Sequence, residues 1–201
     1  MAKLILMRHL QSEWNQANRF TGWHDVALSP EGEASAPAVA QKIAGETIDQ
    51  VYTSPLIRNR ETTRLVLENL KLAHLPVVVD PAFNERRYGE LEGLNKDEVK
   101  ARYGAEQVRR WRRGWAEAPP GGESLKEVTA RVLPVYQNLV ETDLRAGKNV
   151  LIVASHNSLR ALAKEIEQIP DEEIAEYEIQ SGGVVVYDLD PELNLINKEL
   201  R

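Results

Sequence analysis

The chain has 201 residues, of which 42% are hydrophobic and 28% charged, and its formal net charge at pH 7 is -6. This predicts one globular domain over residues 1–201, although the length alone would also allow two. The acidic balance argues against a nucleic-acid partner, and the absence of cysteine excludes disulfides and thiol nucleophiles. The hydropathy pattern of the sequence shows neither a membrane span nor a secretory signal, so we expect a cytoplasmic protein without a membrane partner.

The predicted elements alternate between strands and helices. Apolar, β-branched runs predict buried strands at Leu4–Met7, Val77–Val79, Val150–Val153 and Val184–Leu189, with a shorter candidate at 50–54. Helical patterns begin at Ser29–Pro30 and after Asn157 or Ser158, and cover 57–71, 95–103, 105–117 and 124–146, the last with a kink at Pro134. This order predicts an α/β fold with a mostly parallel central sheet and helices on both faces.

Residues 81–122 differ from the rest of the chain because they are polar, rich in Arg and Gly, and lack a strong strand. We therefore predict an insertion over the C-terminal edge of the strands, where ligands bind in parallel sheets. His9 and His156 both follow predicted strands and should lie at this edge.

The first chemical motif is Arg8-His9. Arginine fixes anions through a planar fork of donors, and a neutral imidazole beside cations is a competent nucleophile. Alternatively, His9 ends a strand and bonds only to backbone. The polar loop that follows offers further donors to phosphate oxygens, namely Asn15, Arg19, Thr21 and Gly22.

A second cationic position is Arg58, which begins a helix directly after a short strand. A basic residue there opposes the helix dipole, so it should have an anionic partner. By contrast, we interpret Arg60 and Arg64 as a solvated helix surface with Glu61 and Glu68 as their partners.

Glu85 stands among cations, and a carboxylate near a phosphate site suggests general acid–base work. Residues 109–113 then place four arginines around Trp111. For Arg109 and Arg110, a surface helix with the tryptophan packed inward is an equally open interpretation, and a nucleic-acid patch has weak support in an acidic chain. The four histidines, His9, His24, His74 and His156, lack metal-binding spacing, so no metal is predicted.

The motifs together resemble the histidine phosphatase superfamily. They are RHLQSEWNQANRFTGWHDVALSPEG, YTSPLIR, NERRYGELEGLNK, WRRGW, GGESLKEV and SHNSLRAL, in order over nearly the whole chain. The segments RFTGW, NERRYGELEGLNK and WRR are more specific, and are similar to the cofactor-dependent phosphoglycerate mutase branch.

The resemblance implies a phosphoglycerate mutase that interconverts 3- and 2-phosphoglycerate with 2,3-bisphosphoglycerate as primer and no metal. His9 would carry the phosphoryl group, and Glu85 would act as acid and base. The phosphoryl group would be surrounded by Arg8, Arg58, His156 and Asn15. The carboxylate and second phosphate of this small three-carbon acid would be held by Thr21, Gly22, Tyr88, Lys96, Arg112, Arg113 and Asn157.

The sequence departs from the family beside both histidines. Leu10 and Gln11 stand where Gly and Glu are usual, and SHNSLR replaces HGNSLR. Without a gap, Ser155 takes the family's histidine position; with a strand one residue longer, His156 keeps the catalytic role, and we favour this second alignment. Losing glycine at residue 10 would constrict the phosphate pocket, because glycine lets backbone approach a ligand.

The chain also lacks an insertion between residues 120 and 121 that longer mutases carry, and its last predicted strand lies near the C-terminus. We therefore expect no long C-terminal lid, more phosphatase side activity than in long forms, and a monomer or weak homodimer. Two other functions remain open: a phosphomonoester hydrolase on the same scaffold, and a catalytically weak protein that binds a phosphate ligand.

Overall fold

The computed structural model describes residues 2–201 and contains one six-stranded sheet with strand order β3-β2-β4-β1-β5-β6. The first four strands in that order run parallel, while β5 and β6 are antiparallel to their neighbours. This confirms the predicted mostly parallel sheet. The strands are β1 (Ala2–Arg8), β2 (Gln50–Thr53), β3 (Val77–Val79), β4 (Val150–Ala154), β5 (Val184–Leu189) and β6 (Leu195–Leu200).

Helices cover both faces of the sheet, as predicted. They are α1 (Glu13–Gln16), α2 (Pro30–Ala34), α3 (Ala36–Gln41), α4 (Ile57–Asn69), α5 (Lys96–Tyr103), α6 (Ala105–Arg113), α7 (Leu125–Val135), α8 (Glu141–Arg145) and α9 (His156–Ile166). Short 3₁₀ turns occur at Pro81–Phe83, Gly89–Leu91 and Ile174–Glu176. Within residues 2–201, no helix combines the length and apolar character needed to cross a membrane.

The alternation of side chains along β1 explains the two layers. Leu4 and Leu6 pack in one core cluster with residues of α7 and α9, whereas Ile5 and Met7 pack in a second cluster with residues of α3 and α4. Successive strand residues point to opposite faces, so a continuous apolar run must be covered on both. Each fully buried apolar side chain of this kind contributes about 1.5–3 kcal/mol to the stability of the folded state.

Two strands differ from their predictions. Val77–Val79 was predicted to be buried, but its residues are 37% to 48% exposed, because β3 is the edge strand and pairs with β2 alone. The strand β6 was not predicted, because Leu195–Leu200 is largely exposed and has no continuous apolar run. These C-terminal residues pair with β5.

Prolines modify two of the predicted helices. Ser29 caps α2 by accepting a hydrogen bond from the Gly32 amide, as predicted, but the helix ends at Ala34 and a separate helix carries Pro37 near its start. The long predicted helix is continuous, and directly after Pro134 it widens into a π turn between α7 and α8. Pro134 lacks the N–H that would donate to the preceding turn, whereas the π turn lies after it, at Tyr136–Val140.

The pairing of β1 with β4 aligns the two histidine-bearing strand ends. Arg8 lies opposite Ala154 in the parallel register, and the His9 amide donates to the Ala154 carbonyl at 3.1 Å. His156 follows two residues after Ala154. Both histidines therefore lie at the carboxyl edge of the sheet, and the 81–122 segment contributes to the cavity there, as predicted.

Leu10 is placed differently from the expectation that it would constrict the pocket. Its side chain is buried in the core cluster under α3, close to Val39, and does not line the cavity. A Cβ atom added at Gly182 would lie 3.4 Å from Leu10 Cδ2, so the leucine fills space against the β5 end of the sheet. The expected constriction by Leu10 is therefore wrong.

Replacing Leu10 should reduce stability while leaving turnover of the folded protein unchanged. Leu10→Ala removes a buried aliphatic side chain and should lower the free energy of unfolding by about 3 kcal/mol. Leu10→Gly should lower it by up to about 1 kcal/mol more, because glycine adds conformational freedom to the unfolded chain. Urea denaturation gives the stabilities, and kcat measured well below the melting temperature gives the activity. A rise in kcat for Leu10→Gly would restore the constriction hypothesis.

Candidate active site

The cavity at the carboxyl ends of β1 and β4 has a strongly cationic lining. It brings together every predicted site residue except Arg113. Its lining residues are Arg8, His9, Asn15, Arg19, Phe20, Thr21, Gly22, Arg58, Glu85, Tyr88, Lys96, Arg112, His156 and Asn157.

His9 is buried and poised as a neutral imidazole. Its Nδ1 lies 2.6 Å from the Leu10 carbonyl oxygen, which accepts the Nδ1 proton and leaves Nε2 with a free lone pair. Burial lowers the pKa of His9 well below its usual value, and the nearby Arg58 and Arg8 lower it further. The ring is therefore uncharged at neutral pH, and its Nε2 is able to act as a nucleophile.

Two arginines flank His9, of which Arg58 is buried and Arg8 is partly buried. Arg58 donates to the Gly22 carbonyl at 2.8 Å and the His24 carbonyl at 2.9 Å, so it also fixes the loop between α1 and α2. Burial lowers the pKa of Arg58 to about 10, which leaves it charged at neutral pH. Arg8 donates to the Ile179 carbonyl at 2.7 Å. Both cations are thus held by backbone oxygens beside the imidazole.

Polar atoms without partners point to an anionic ligand. Among the described residues, the buried Arg8 Nε and Thr21 Oγ1 make no hydrogen bond. Leaving a buried polar group unpaired costs about 1–3 kcal/mol, which a bound oxyanion would offset. Asn15 adds a donor, because the capping box with Ser12 occupies its backbone amide and Oδ1 but not its Nδ2. These groups fit a phosphate.

Glu85 is held in one orientation by the start of α9. Its Oε1 accepts from the Arg86 amide at 2.8 Å, the Asn157 amide at 3.1 Å and Asn157 Nδ2 at 2.9 Å. Arg160 donates to Asn157 Oδ1 at 2.9 Å and so sets which way the amide points, while Asn157 Nδ2 also lies 3.2 Å from the Tyr88 hydroxyl. Within residues 2–201, Glu85 Oε2 accepts no hydrogen bond and is available to a ligand hydroxyl.

The structure brings His156 into the cavity, and Ser155 stays outside it. Ser155 precedes α9 as its cap, two or three positions earlier than the predicted Asn157 or Ser158 cap, and its hydroxyl accepts from Asn59 Nδ2 at 3.0 Å. His156 Nε2 accepts weakly from the Ile179 amide at 3.4 Å. Burial, and then the charge of Arg8, lower the pKa of His156 well below its usual value, so it is also neutral.

Lys96 and Arg112 form a second cationic group, on the side of the cavity built from residues 81–122. Lys96 is the first residue of α5 and lines the cavity. Burial lowers its pKa to about 8, and the nearby Arg112 and Arg8 contribute to this shift. A partly buried lysine of this kind is charged at pH 7. It attracts an anion more strongly than an exposed lysine does, because less solvent screens the interaction.

Several residues in or near the cavity were missed or misplaced by the sequence analysis. Arg19 and Phe20 line the cavity but were not assigned to the site, although Arg19 was noted as a donor in the same loop. Arg113, which was assigned to substrate binding, does not line the cavity and instead forms an ion pair with Glu178. No sequence signal marks Glu178, because its partners lie far away along the chain.

Three exposed arginines of α4 and α6 form ion pairs at the surface. This agrees with the prediction for Arg64 and resolves Arg109 and Arg110 in favour of a surface helix, with Trp111 packed inward. The ion pairs are Arg64 with Glu61 and Glu68, Arg109 with Glu176, and Arg110 with Glu106 and Glu117. Within the described part of the chain, no cluster of three or more His, Asp or Glu side chains is arranged to hold a metal ion.

Binding of 3-phosphoglycerate should weaken as the pH rises above about 8, because Lys96 loses its charge there. The ligand itself stays fully ionised over this range, so the change reports on the protein. Lys96→Met should bind more weakly at pH 7 and show no such dependence between about pH 7.5 and 9. Titration calorimetry across this range measures the dissociation constants.

The matched control for Lys96 is Lys100→Met, because Lys100 pairs with Asp97 on the exposed face of the same helix. This variant should keep the wild-type pH profile. A wild-type affinity that stays constant through pH 8 would contradict the assignment of Lys96 as the titrating cation.

Comparison with known proteins agrees with this geometry. Residues 4–198 match the family model for the histidine phosphatase superfamily (branch 1). A 2,3-bisphosphoglycerate-dependent phosphoglycerate mutase of Cytophaga hutchinsonii is 45% identical, covering 97% of this chain and 91% of its own. Its counterpart numbered 2 in Lactiplantibacillus plantarum is 42% identical, covering 99% and 98%.

The fold is also similar to solved structures. A mycobacterial glucosyl-3-phosphoglycerate phosphatase in complex with VO3 superposes with a TM-score of 0.85 and 25% identity, covering 100% of this chain and 97% of that one. The predicted resemblance is therefore confirmed at the level of the fold, of the family model and of close relatives. The chain belongs to the histidine phosphatase superfamily, branch 1.

Proposed function

We propose that the protein is a 2,3-bisphosphoglycerate-dependent phosphoglycerate mutase, which interconverts 3- and 2-phosphoglycerate through a phosphohistidine at His9. The observation that carries this proposal is the buried, neutral His9, which lies near the charges of Arg58 and Arg8 and keeps Nε2 free in a cavity lined by cations. The names of the relatives at 42% and 45% identity support the same activity.

The first half of the reaction moves a phosphoryl group from His9 to the substrate. The 2-hydroxyl of 3-phosphoglycerate gives its proton to the Glu85 carboxylate and attacks the phosphorus, and the bond from phosphorus to His9 Nε2 breaks. Arg8 and Arg58 stabilise the charge on the transferring group, with Asn15 and the neutral His156 as further donors. Positioning and charge stabilisation therefore supply most of the acceleration.

The second half returns a phosphoryl group from the 3-position. His9 Nε2 attacks the phosphorus, the bond to the 3-oxygen breaks, and Glu85 returns its proton to that oxygen, which leaves 2-phosphoglycerate. Glu85 suits both roles because its Oε1 is anchored by three N–H donors while Oε2 stays free.

The second anionic group of the substrate needs its own cations and donors. Lys96 and Arg112 line the cavity, and Thr21 Oγ1 has no partner within the described residues. We assign the carboxylate and second phosphate to Thr21, Gly22, Tyr88, Lys96, Arg112 and Asn157. When bound in the same place, 2,3-bisphosphoglycerate supplies the phosphoryl group that primes His9.

A phosphomonoester hydrolase is the second candidate function. The observation that favours it is the pairing of Arg113 with Glu178, which removes one cation from the set expected to hold a second anion. A monomer or weak homodimer in the cytoplasm remains our expectation. The weak ligand-binding protein loses its two original reasons, because Leu10 leaves the cavity open and His156 lines it.

The decisive test is a coupled assay that starts from 3-phosphoglycerate with and without a trace of 2,3-bisphosphoglycerate. The wild type should form 2-phosphoglycerate only with the primer, and His9→Ala should form none because it lacks the nucleophile. His74→Ala, which changes an exposed histidine, is the control and should keep full activity. Free phosphate without the isomer would instead establish the hydrolase.

Glu85→Gln should separate proton transfer from binding. The amide keeps the shape of the side chain but cannot take or give the proton, so kcat should fall by about 10²–10⁴-fold, with KM changed by far less. Steady-state kinetics of the isomerisation measures both constants. A loss confined to KM would mean that Glu85 only positions the ligand.

A further inference from the structure

Three cavity-side groups converge on one carboxylate that neither the sequence analysis nor the proposed mechanism uses. Glu178 Oε1 lies 3.5 Å from Arg8 Nη1 and 3.5 Å from His156 Nε2, while Oε2 pairs with Arg113 Nη2. These partners come from three separate elements: the end of β1, the end of α6 and the start of α9. Glu178 therefore supplies the negative charge that faces Arg8 and Arg113.

The contacts of Glu178 within the site are loose. A charge-assisted hydrogen bond between nitrogen and oxygen is usually about 2.7–2.9 Å long, so the 3.5 Å separation from Arg8 is wide. His156 gives no ion pair, because its ring is neutral and its Nε2 already accepts the Ile179 amide proton. The ion pair with Arg113 is thus the main attachment of this carboxylate.

The side chain of Glu178 can leave without disturbing the backbone. Its side chain is 28% exposed, whereas the next residue, Ile179, is buried and anchors the segment. The Ile179 carbonyl accepts from Arg8 and its amide donates to His156. Rotation of Glu178 toward solvent would therefore free Arg8 and Arg113 while both of those backbone contacts stay in place.

We propose that Glu178 is a specificity-determining residue: its carboxylate competes with the second anionic group of the substrate for Arg113, and has to be displaced when a doubly anionic ligand binds. A ligand with a single phosphate at His9 can bind with Glu178 in place. The ion pair thereby disfavours phosphoglycerates relative to ligands that carry a single phosphate as their only anionic group. This inference rests on the proposed function for the identity of the physiological ligand.

The test compares Glu178→Gln with wild type in the binding of 3-phosphoglycerate and of inorganic phosphate, by titration calorimetry. Removing the charge should tighten 3-phosphoglycerate binding by about tenfold and change phosphate binding by less than about twofold. Glu176→Gln is the matched control, because Glu176 lies in the same segment but pairs with Arg109 at the surface. It should change neither affinity.

The outcomes separate the two proposals. Equal changes for both ligands, or weaker 3-phosphoglycerate binding, would overturn the competition and make Glu178 a residue that positions Arg8. Glu178→Ala, which removes the charge without adding an amide, must give the same selective change as Glu178→Gln. A selective change in a protein that does not isomerise 3-phosphoglycerate would keep the role of Glu178 and reject the mutase, because the binding measurement does not depend on turnover.

Discussion

The parallel pairing of β1 with β4 is the constraint on which the site depends. It sets Arg8 level with Ala154, so the two histidines that follow these strands open into one cavity. A shift of one residue would turn every side chain of β1 to the other face and break both core layers at once. Burial of the apolar side chains thus fixes the strand register, and the register places the two histidines in one cavity.

Buried arginines bind the loops that surround the sheet. Arg58, Arg86 and Arg160 are nearly inaccessible to solvent, and each donates to backbone carbonyls of a segment distant in sequence. A buried cation is costly unless it is well paired. In this protein the carbonyls meet part of that need for all three side chains, and Arg58, which lines the cavity, would also pair with an anionic ligand.

Much of this arrangement could be predicted from the sequence, because it is local or follows from the fold. The apolar runs indicated four of the six strands and the 50–54 segment a fifth, and His9, Arg58 and Glu85 stand out by their neighbours in the chain. Contacts between residues far apart in the chain could not be predicted from the sequence. The exposure of Val77–Val79 depends on its edge position, and the pairing of Arg113 with Glu178 joins residues 65 positions apart. The outward-facing β6 lacks the apolar signature altogether.

The contact of Arg160 with Asn157 has a kinetic consequence. An asparagine amide can present either its oxygen or its nitrogen to a neighbour, and a guanidinium bound to Oδ1 leaves only the nitrogen for Glu85. The carboxylate is thus preorganised before any ligand arrives, and no side-chain flip has to precede proton transfer. In the proposed mechanism, the substrate hydroxyl would therefore meet a carboxylate that folding has already oriented.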